Sequence, residues 1–400
     1  MRHRWFRFGS FKVLVTMPHN WAFGHLALEM LMSLAMAKKE GACVYFIQRT
    51  RVVNKALFHL ESDAVKILPR SLWIAWAFRT VWSIRQNGAK FIEGAWLSSK
   101  KIILARLGRK MDASQNEKVD DNPRGYFRRF LIRDPVPVRL SVRERQEAVK
   151  QAEAMGISEN TRVVGLHVRE AGFRSRPGRP EDRSMLTRNA RIETYHKAID
   201  YLVEQGCLIV RFGDPTMTPL IRHGVVDLAT SARRTELLEL YCLMKSEFLI
   251  ACESGLLGVS YLVNIPLLNV NATDPVSSYP VRHDGLYILK RVVDRQTQSM
   301  LSLSDMVKEK YLSNLRNVER YEYIDNTSEE ILDVTREMVK NLTGTSEPSS
   351  AQREYKKLIC QAADELRDRS GYVRKWGPEG GFWGDGWIGR CFAERNLYPG

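Results

Sequence analysis

Four hundred residues, 44% of them hydrophobic, are more than one core usually fills, so two domains are expected. Six scattered cysteines (Cys43, Cys207, Cys242, Cys252, Cys360, Cys391), none at Cys-x-x-Cys spacing, read as buried thiols and not as a disulfide or zinc framework. The net charge of +15 is concentrated: residues 1–110 hold 19 Lys and Arg against five acids, while the remainder holds 42 against 41.

The chain opens MRHRWFRFGSFKVLV, basic and aromatic, and passes into a short β-branched run from Phe11 to Thr16 without a secretory h-region, so a cytoplasmic location is expected. MPHNWAFGHLALEM follows, with Gly24 at the turn and Leu26, Met30, Leu34 and Ala37 at helical spacing. Gly41 stops that helix and ACVYFI begins a second strand, the opening of a parallel α/β layer. Next, PRSLWIAWAFRTVWSIRQ sets Arg70, Arg79 and Arg85 among Trp73, Trp76 and Trp82, with an apolar run well short of the ~20 residues that span a bilayer. Two readings stay open for this segment: a helix lying on an anionic membrane surface, and a buried helix capped by arginines. Nucleic acid, the other acidic partner a basic half could take, is not expected, because no recognised binding motif accompanies the charge.

RDPVPVRL, Arg133 to Leu140, carries two prolines and reads as the extended connector at the domain boundary. Ser141 with Glu144 opens a helix that runs through Met155 and is closed by Gly156. The rhythm then becomes regular: strand 162–169, helix 192–204, strand 207–212, helix 234–244, strand 247–252, a short helix and strand 266–271. Strands and helices alternating at this spacing predict a doubly wound parallel sheet. A polar linker, Thr343 to Ser350, precedes a helix from Ala351 to Arg369, and the end of the chain, GPEGGFWGDGWIGR, has no usable period.

Chemistry is expected where these strands end, because an open parallel sheet presents its ligand at the carboxyl edge. Arg169 ends VVGLHVRE and leads into a loop with Arg174, Arg176, Arg179, Arg183, Arg188 and Arg191 against Glu181 and Asp182. Guanidinium groups match phosphate oxygens in geometry, so Arg169 is placed to hold a diphosphate, while the loop arginines taken singly read as a solvated basic segment. His167 shares the face of Arg169 and is either a ligand contact or a core histidine. RFGDP (Arg211, Gly213, Asp214) and Asp227 of VVDLATS fall where a base and ribose would lie, with Asp214 as a simple turn cap the alternative. Glu253, Ser254 and Gly255 of ESGLLG form a candidate anion nest. In the N-terminal half, Gly24 and His25 begin the first helix, and either His25 or Glu29 is a candidate proton acceptor or an ordinary helix-start residue. No metal-ligand spacing and no P-loop is present, so neither a metal nor a cofactor is expected.

LHVRE, RNARIETYHKAIDYLVEQGCLIVRFGDP (which includes Asn189), VVDLATS, ESGLLGVSYLVNIPLL and LYILK with LSLSDMV together resemble the metal-independent glycosyltransferases of the GT-B type. The closest resemblance is to a family of bacterial glycosyltransferases found with surface-polysaccharide genes; it covers residues 160–310, and GHLALE more weakly. It implies an α/β fold of two facing Rossmann-like doubly wound domains with a C-terminal crossover helix. The segments would be an acceptor and membrane-facing domain over 1–135, a nucleotide-sugar donor domain over 141–342, and the crossover helix and tail over 351–400. In fucosyltransferase-like members the arginine of an H-x-R strand end holds the nucleotide diphosphate, which implies that role for Arg169. Heptosyltransferases look similar at a glycine followed by an acidic base and at a D-T-G loop; here those places read Gly24-His25 and Glu253-Ser254-Gly255, a departure at both. The implied protein is a cytoplasmic, membrane-peripheral enzyme moving a hexosyl or deoxyhexosyl group from a nucleotide-diphosphate sugar to a surface-glycan or lipid-linked acceptor. A catalytically silent nucleotide-binding scaffold and a basic nucleic-acid-binding protein are the alternatives.

Overall fold

The computed structural model describes residues 2–8, 10–19, 22–48, 51–69, 135–170, 183–344, 347–365 and 384–398. The Trp and Arg cluster from Arg70 to Arg85 and the loop arginines Arg174, Arg176 and Arg179 lie outside them.

The N-terminal half opens with a hairpin of β1 (Arg2–Phe8) and β2 (Phe11–Met17), a strand pair the sequence did not announce at β1. Helix α1 (Phe23–Lys39) then crosses over to β3 (Cys43–Phe46), which pairs with β2 in parallel. Alternation along β2 divides its side chains: Val13 and Val15 join Tyr45 and Ile47 on one face, and Leu14 enters the main core on the other. Gly41 follows the end of α1 in a left-handed conformation at φ 58°, which a side chain would resist. A short pair, β4 (Leu60–Glu61) with β5 (Arg139–Leu140), then ties the expected connector back to the N-terminal half. Ser141 caps α2 (Val142–Glu153) through Glu144 N–H, as its sequence predicts.

Seven parallel strands make the large sheet. In chain order they are β6 (Arg162–His167), β7 (Cys207–Arg211), β8 (Val225–Asp227), β9 (Leu249–Ala251), β10 (Leu267–Ala272), β11 (Leu286–Leu289) and, beyond the antiparallel strands β12 (Arg291–Asp294), β13 (Ser299–Met300) and β14 (Tyr321–Ile324), β15 (Trp387–Ile388). Their spatial order is β15-β11-β10-β9-β6-β7-β8. The chain therefore leaves β6 to one side, builds β7 and β8, and returns to the other side of β6 for β9. That reversal is a doubly wound switch point, and the loops after β6 and β9 flank it.

Helices cover both faces: α3 (His196–Glu204), α4 (Glu236–Lys245), α5 (Leu256–Leu262), α6 (Ser328–Thr343), α7 (Ser350–Glu365) and α8 (Arg390–Asn396). Val164, Leu166 and Val168 pack on one side with α3, α6 and α7, and Val163 packs on the other with α1, α2, α4 and α5. Strands buried on both faces explain the unbroken apolar runs, each fully buried Val or Leu stabilising the fold by about 1.5–3 kcal/mol.

Helix α7 packs over its described length on the C-terminal core: Tyr355 and Ile359 are buried there and Tyr355 Oη lies 2.8 Å from Tyr287 Oη. Helix α1 lies directly on α5, and Leu26, Met30 and Leu34 share one core with Leu256, Leu257 and Val259. Among the described residues no helix is long and apolar enough to cross a membrane.

Candidate functional site

The two switch-point loops are stitched together by one backbone-to-thiol and one backbone-to-backbone bond. Arg169 N–H donates to Cys252 Sγ at 2.9 Å, and Cys252 N–H donates to the His167 carbonyl at 3.1 Å. Arg169 thus follows immediately on a fixed strand end and is itself buried. Its carbonyl accepts from Ala190 N–H at 2.9 Å, which draws the segment Arg188-Asn189-Ala190 alongside. Lys290, at the end of β11, anchors that segment from below: Nζ donates to the Asn189 carbonyl at 2.5 Å and to Asp325 at 2.7 Å. Asn189 therefore contributes its main chain to the frame.

Glu253, at the end of β9, is buried and fully engaged. One carboxylate oxygen accepts from Thr273 N–H at 3.1 Å and Thr273 Oγ1 at 2.5 Å, and the other pairs with Arg316. Arg316 arrives in a left-handed bend at φ 61° and also donates Nε to Thr273 Oγ1 at 3.0 Å. Arg188 stands in the field of the same groups. Burial pushes its pKa down to about 10, the Arg169 and Arg316 cations add to the fall, and Glu253 opposes it. Arginines from three separate segments are thus gathered around Arg188, whose Nε is buried without a hydrogen-bond partner among the described residues.

Other residues singled out by the sequence have structural work here. His167 is a core histidine: Nδ1 lies 3.0 Å from the Phe212 carbonyl, and burial first, then the Arg211 and Arg169 cations, hold its pKa down to about 4. Arg211, expected beside a base or ribose, is completely buried between the Glu170 and Asp227 carboxylates and donates to the Thr218 carbonyl at 2.6 Å. The same Asp227 oxygen, Oδ2, also accepts from Leu220 N–H at 2.8 Å and Thr230 Oγ1 at 2.9 Å. A buried cation demands such matching. Asp214 caps its own turn, accepting from Thr216 N–H at 2.9 Å, and Gly213 leaves room for Met217, whose sulfur would lie 2.1 Å from a Cβ.

The backbone of the first helix lies against the expected anion nest at Ser254 and Gly255. A Cβ on Gly24 would lie 2.3 Å from the Gly255 carbonyl oxygen, and one on Gly258 would lie 2.7 Å from the Gly24 oxygen. These glycines are needed for backbone-to-backbone contact of α1 and α5. Ser254 Oγ accepts from Leu256 N–H at 3.3 Å, a local turn bond. Through this contact the first turn of α1 is brought beside the switch point. His25 is exposed there, and Glu29, buried one turn later, reaches back to His19, pairing with its Nδ1 and accepting its N–H at 2.7 Å. The sequence reading missed His19 and Arg316. His19 follows a strand end directly, a position that carried a signal, whereas Arg316 lies in YLSNLRNVERYEYI, where no strand end or motif marks it.

Among the described residues no three His, Cys, Asp or Glu side chains gather into a cluster able to hold a metal ion. No protein-family model matches the chain, and no curated protein matches it. Among solved structures it is similar to a glycosyl transferase family 9 protein from Veillonella parvula DSM 2008, at 13% identity and a TM-score of 0.34, over 64% of this chain and 79% of that one. It is similar to the E. coli heptosyltransferase WaaC with ADP-2-deoxy-2-fluoro heptose at 12% identity and a TM-score of 0.30, over 64% and 88% of the two chains. It is also similar to the dodecameric iron-containing heptosyltransferase TibC in complex with ADP-D-beta-D-heptose, at 10% identity and a TM-score of 0.35, over 84% and 78%.

Proposed function

We propose that the chain is a glycosyltransferase that binds the diphosphate of a nucleotide-sugar donor at the switch point and moves the sugar to an acceptor hydroxyl. The observation that carries this reading is the gathering of cations beyond the ends of β6 and β9, where Arg316 pairs with Glu253 and Arg188 stands in the field of Arg169, Arg316 and Glu253. Guanidinium groups do not discharge by losing a proton at neutral pH, so such a gathering at the carboxyl edge of the sheet suits an anion. A diphosphate presents that charge with several acceptor oxygens, and its leaving-group charge grows as the sugar departs, where fixed cations stabilise it most. In this proposal the arginines supply the neutralisation a metal would otherwise provide. The acceptor is a surface glycan or lipid-linked glycan, met at an anionic membrane face by the basic N-terminal half.

The experiment is a binding panel of UDP, GDP, ADP and CMP derivatives by thermal shift and calorimetry, since a ligand that binds only the folded chain raises its melting temperature. One diphosphate should bind, and Arg169→Ala should weaken it by one to two decades, the loss expected for a charge-assisted contact worth about 1.5–3 kcal/mol. Unchanged affinity in a folded Arg169→Ala variant refutes the assignment.

A further inference from the structure

The carboxyl edge of the sheet holds a buried cation that the proposed transfer does not use. Lys290 ends the run LYILK and is only 3% exposed. We infer that Lys290, paired with Asp325, is a positioning residue for the donor: it fixes the main chain from which Arg188 meets the diphosphate, without touching the ligand itself. The assignment rests on the function proposed above and on geometry of its own.

An ammonium group has three donors and no acceptor, and its burial is costly unless acceptors are brought to it. Both acceptors come from distant parts of the chain. Nζ donates to the Asn189 carbonyl at 2.5 Å, 101 residues away in sequence, and to Asp325 Oδ1 at 2.7 Å, 35 residues away. The other oxygen of that carboxylate, Oδ2, accepts from Arg191 N–H at 2.9 Å. Between these points Ala190 N–H donates to the Arg169 carbonyl at 2.9 Å. The three residues after Arg188 are thus each fixed through the main chain, by Lys290, Arg169 and Asp325. Their supports are fixed in turn: Lys290 N–H donates to the Ala272 carbonyl at 2.7 Å. Asn326, next to Asp325, exchanges bonds with Asn271 of β10, where Asn271 N–H donates to Asn326 Oδ1 at 2.8 Å and Asn326 N–H to Asn271 Oδ1 at 2.7 Å. Two residues beyond Asn271, Thr273 holds Glu253, the partner of Arg316. The end of β10 therefore joins the frame under Arg188 to the ion pair whose field Arg188 feels.

The head of Arg188 is held far less than its base. Among the described residues its Nη2 meets the Met185 sulfur at 3.2 Å, a weak acceptor, and its Nε has no hydrogen-bond partner. A fixed main chain under a guanidinium with a donor to spare is a pre-organised anion contact, because less freedom is lost when the anion arrives. Lys290 is unsuited to be that contact itself, since its ammonium is enclosed with the Asn189 carbonyl and the Asp325 carboxylate. Its loss would free the Asn189 carbonyl and let the segment shift, and a displacement of about 1 Å is enough to spoil a charged contact.

The test uses the full chain and whichever of UDP, GDP and ADP the wild type binds, with the dissociation constant read by calorimetry and the melting temperature as the control for folding. Lys290→Met should weaken binding about ten-fold, as Arg188→Met does, because both remove the same contact. In the Arg188→Met background, adding Lys290→Met should change the dissociation constant by less than about two-fold, a coupling that a merely structural lysine would not show. Losses that multiply in the double variant, or wild-type affinity in a folded Lys290→Met variant, overturn the assignment. If Lys290→Met unfolds because Asp325 is left uncompensated, Lys290→Met with Asp325→Asn removes both charges while the amide oxygen still accepts from Arg191 N–H, and the same cycle is read on it. Failure of both to fold makes the pair a requirement of the fold alone and overturns its assignment to the donor. A wild type that binds none of the three nucleotides counts against the donor site, and against the positioning role with it, so the two failures are told apart by the wild type.

Discussion

Arg188→Met should make the unliganded protein more stable and a worse binder of nucleoside diphosphates, two effects that a structural arginine would not combine. Arg188 is largely buried beside two other guanidinium groups, and its pKa falls to about 10 from the usual range above 12. Because the folded chain binds this proton less tightly than the unfolded chain, stability rises with pH only between about 10 and the unfolded value, and the whole penalty is present at pH 7. A gap of about two pH decades at about 1.4 kcal/mol each sets a ceiling near 3 kcal/mol. Partial exposure of the side chain and its weak contact to Met185 Sδ reduce that to about 1 kcal/mol. Methionine keeps the apolar stem and drops the charge, so the melting temperature of the apo variant should rise by about 2 °C, read by calorimetry. Affinity for the diphosphate identified in the binding panel should fall by about one decade or more. A lower melting temperature, or wild-type affinity, would refute the idea that the cation crowd is kept for an anion.

His167 gives a pH test of the frame. Held neutral with a pKa near 4, it binds no proton in the folded state between about 4 and 6.5, whereas the unfolded chain does, so stability should fall by up to about 3 kcal/mol as pH drops through that window, and His167→Gln should flatten this part of the urea-midpoint profile. Binding to vesicles should be stronger with anionic than with neutral lipid and should weaken with salt, because each basic residue of the +14 N-terminal segment contributes only ~1 kcal/mol and is screened; equal partitioning by cosedimentation would refute it.

The C-terminal fold was legible because its signals are local. Ser141 and Glu144 mark a helix start, Gly156 marks its end in a left-handed conformation, and β6, β7, β9 and β10 are apolar runs cut by turn residues, so they fall within about two residues of where their periodicity put them. The two-residue strand β15 had no such signal; its place at the sheet edge comes from docking beside β11. Site residues followed the same divide. Arg169 and Glu253 end strands and could be named, but the partner of Glu253 is Arg316, brought from 63 residues away by a bend at positive φ that no short pattern announces. Arg211 and Asp227 also end strands, and position alone put them with the ligand. Only the structure shows that they neutralise each other inside the sheet edge, with Glu170 as the third member.

Gly24, Gly255 and Gly258 bear on where the donor's charge is met. A glycine in a phosphate loop and a glycine at a helix crossing satisfy the same requirement, the absence of a Cβ, so GHLALE and ESGLLG read alike from sequence under either role. The space beside Gly255 decides between them, and it holds the backbone of α1, with Gly24 N 3.2 Å from where a side chain would begin. The close crossing holds α1 in register with the segment that follows β9, since α1 cannot slide over α5 without driving backbone into backbone. In the proposed transfer that register would keep the first turn of α1 beside the side chains of Arg188 and Arg316, which supply the cations for the leaving diphosphate.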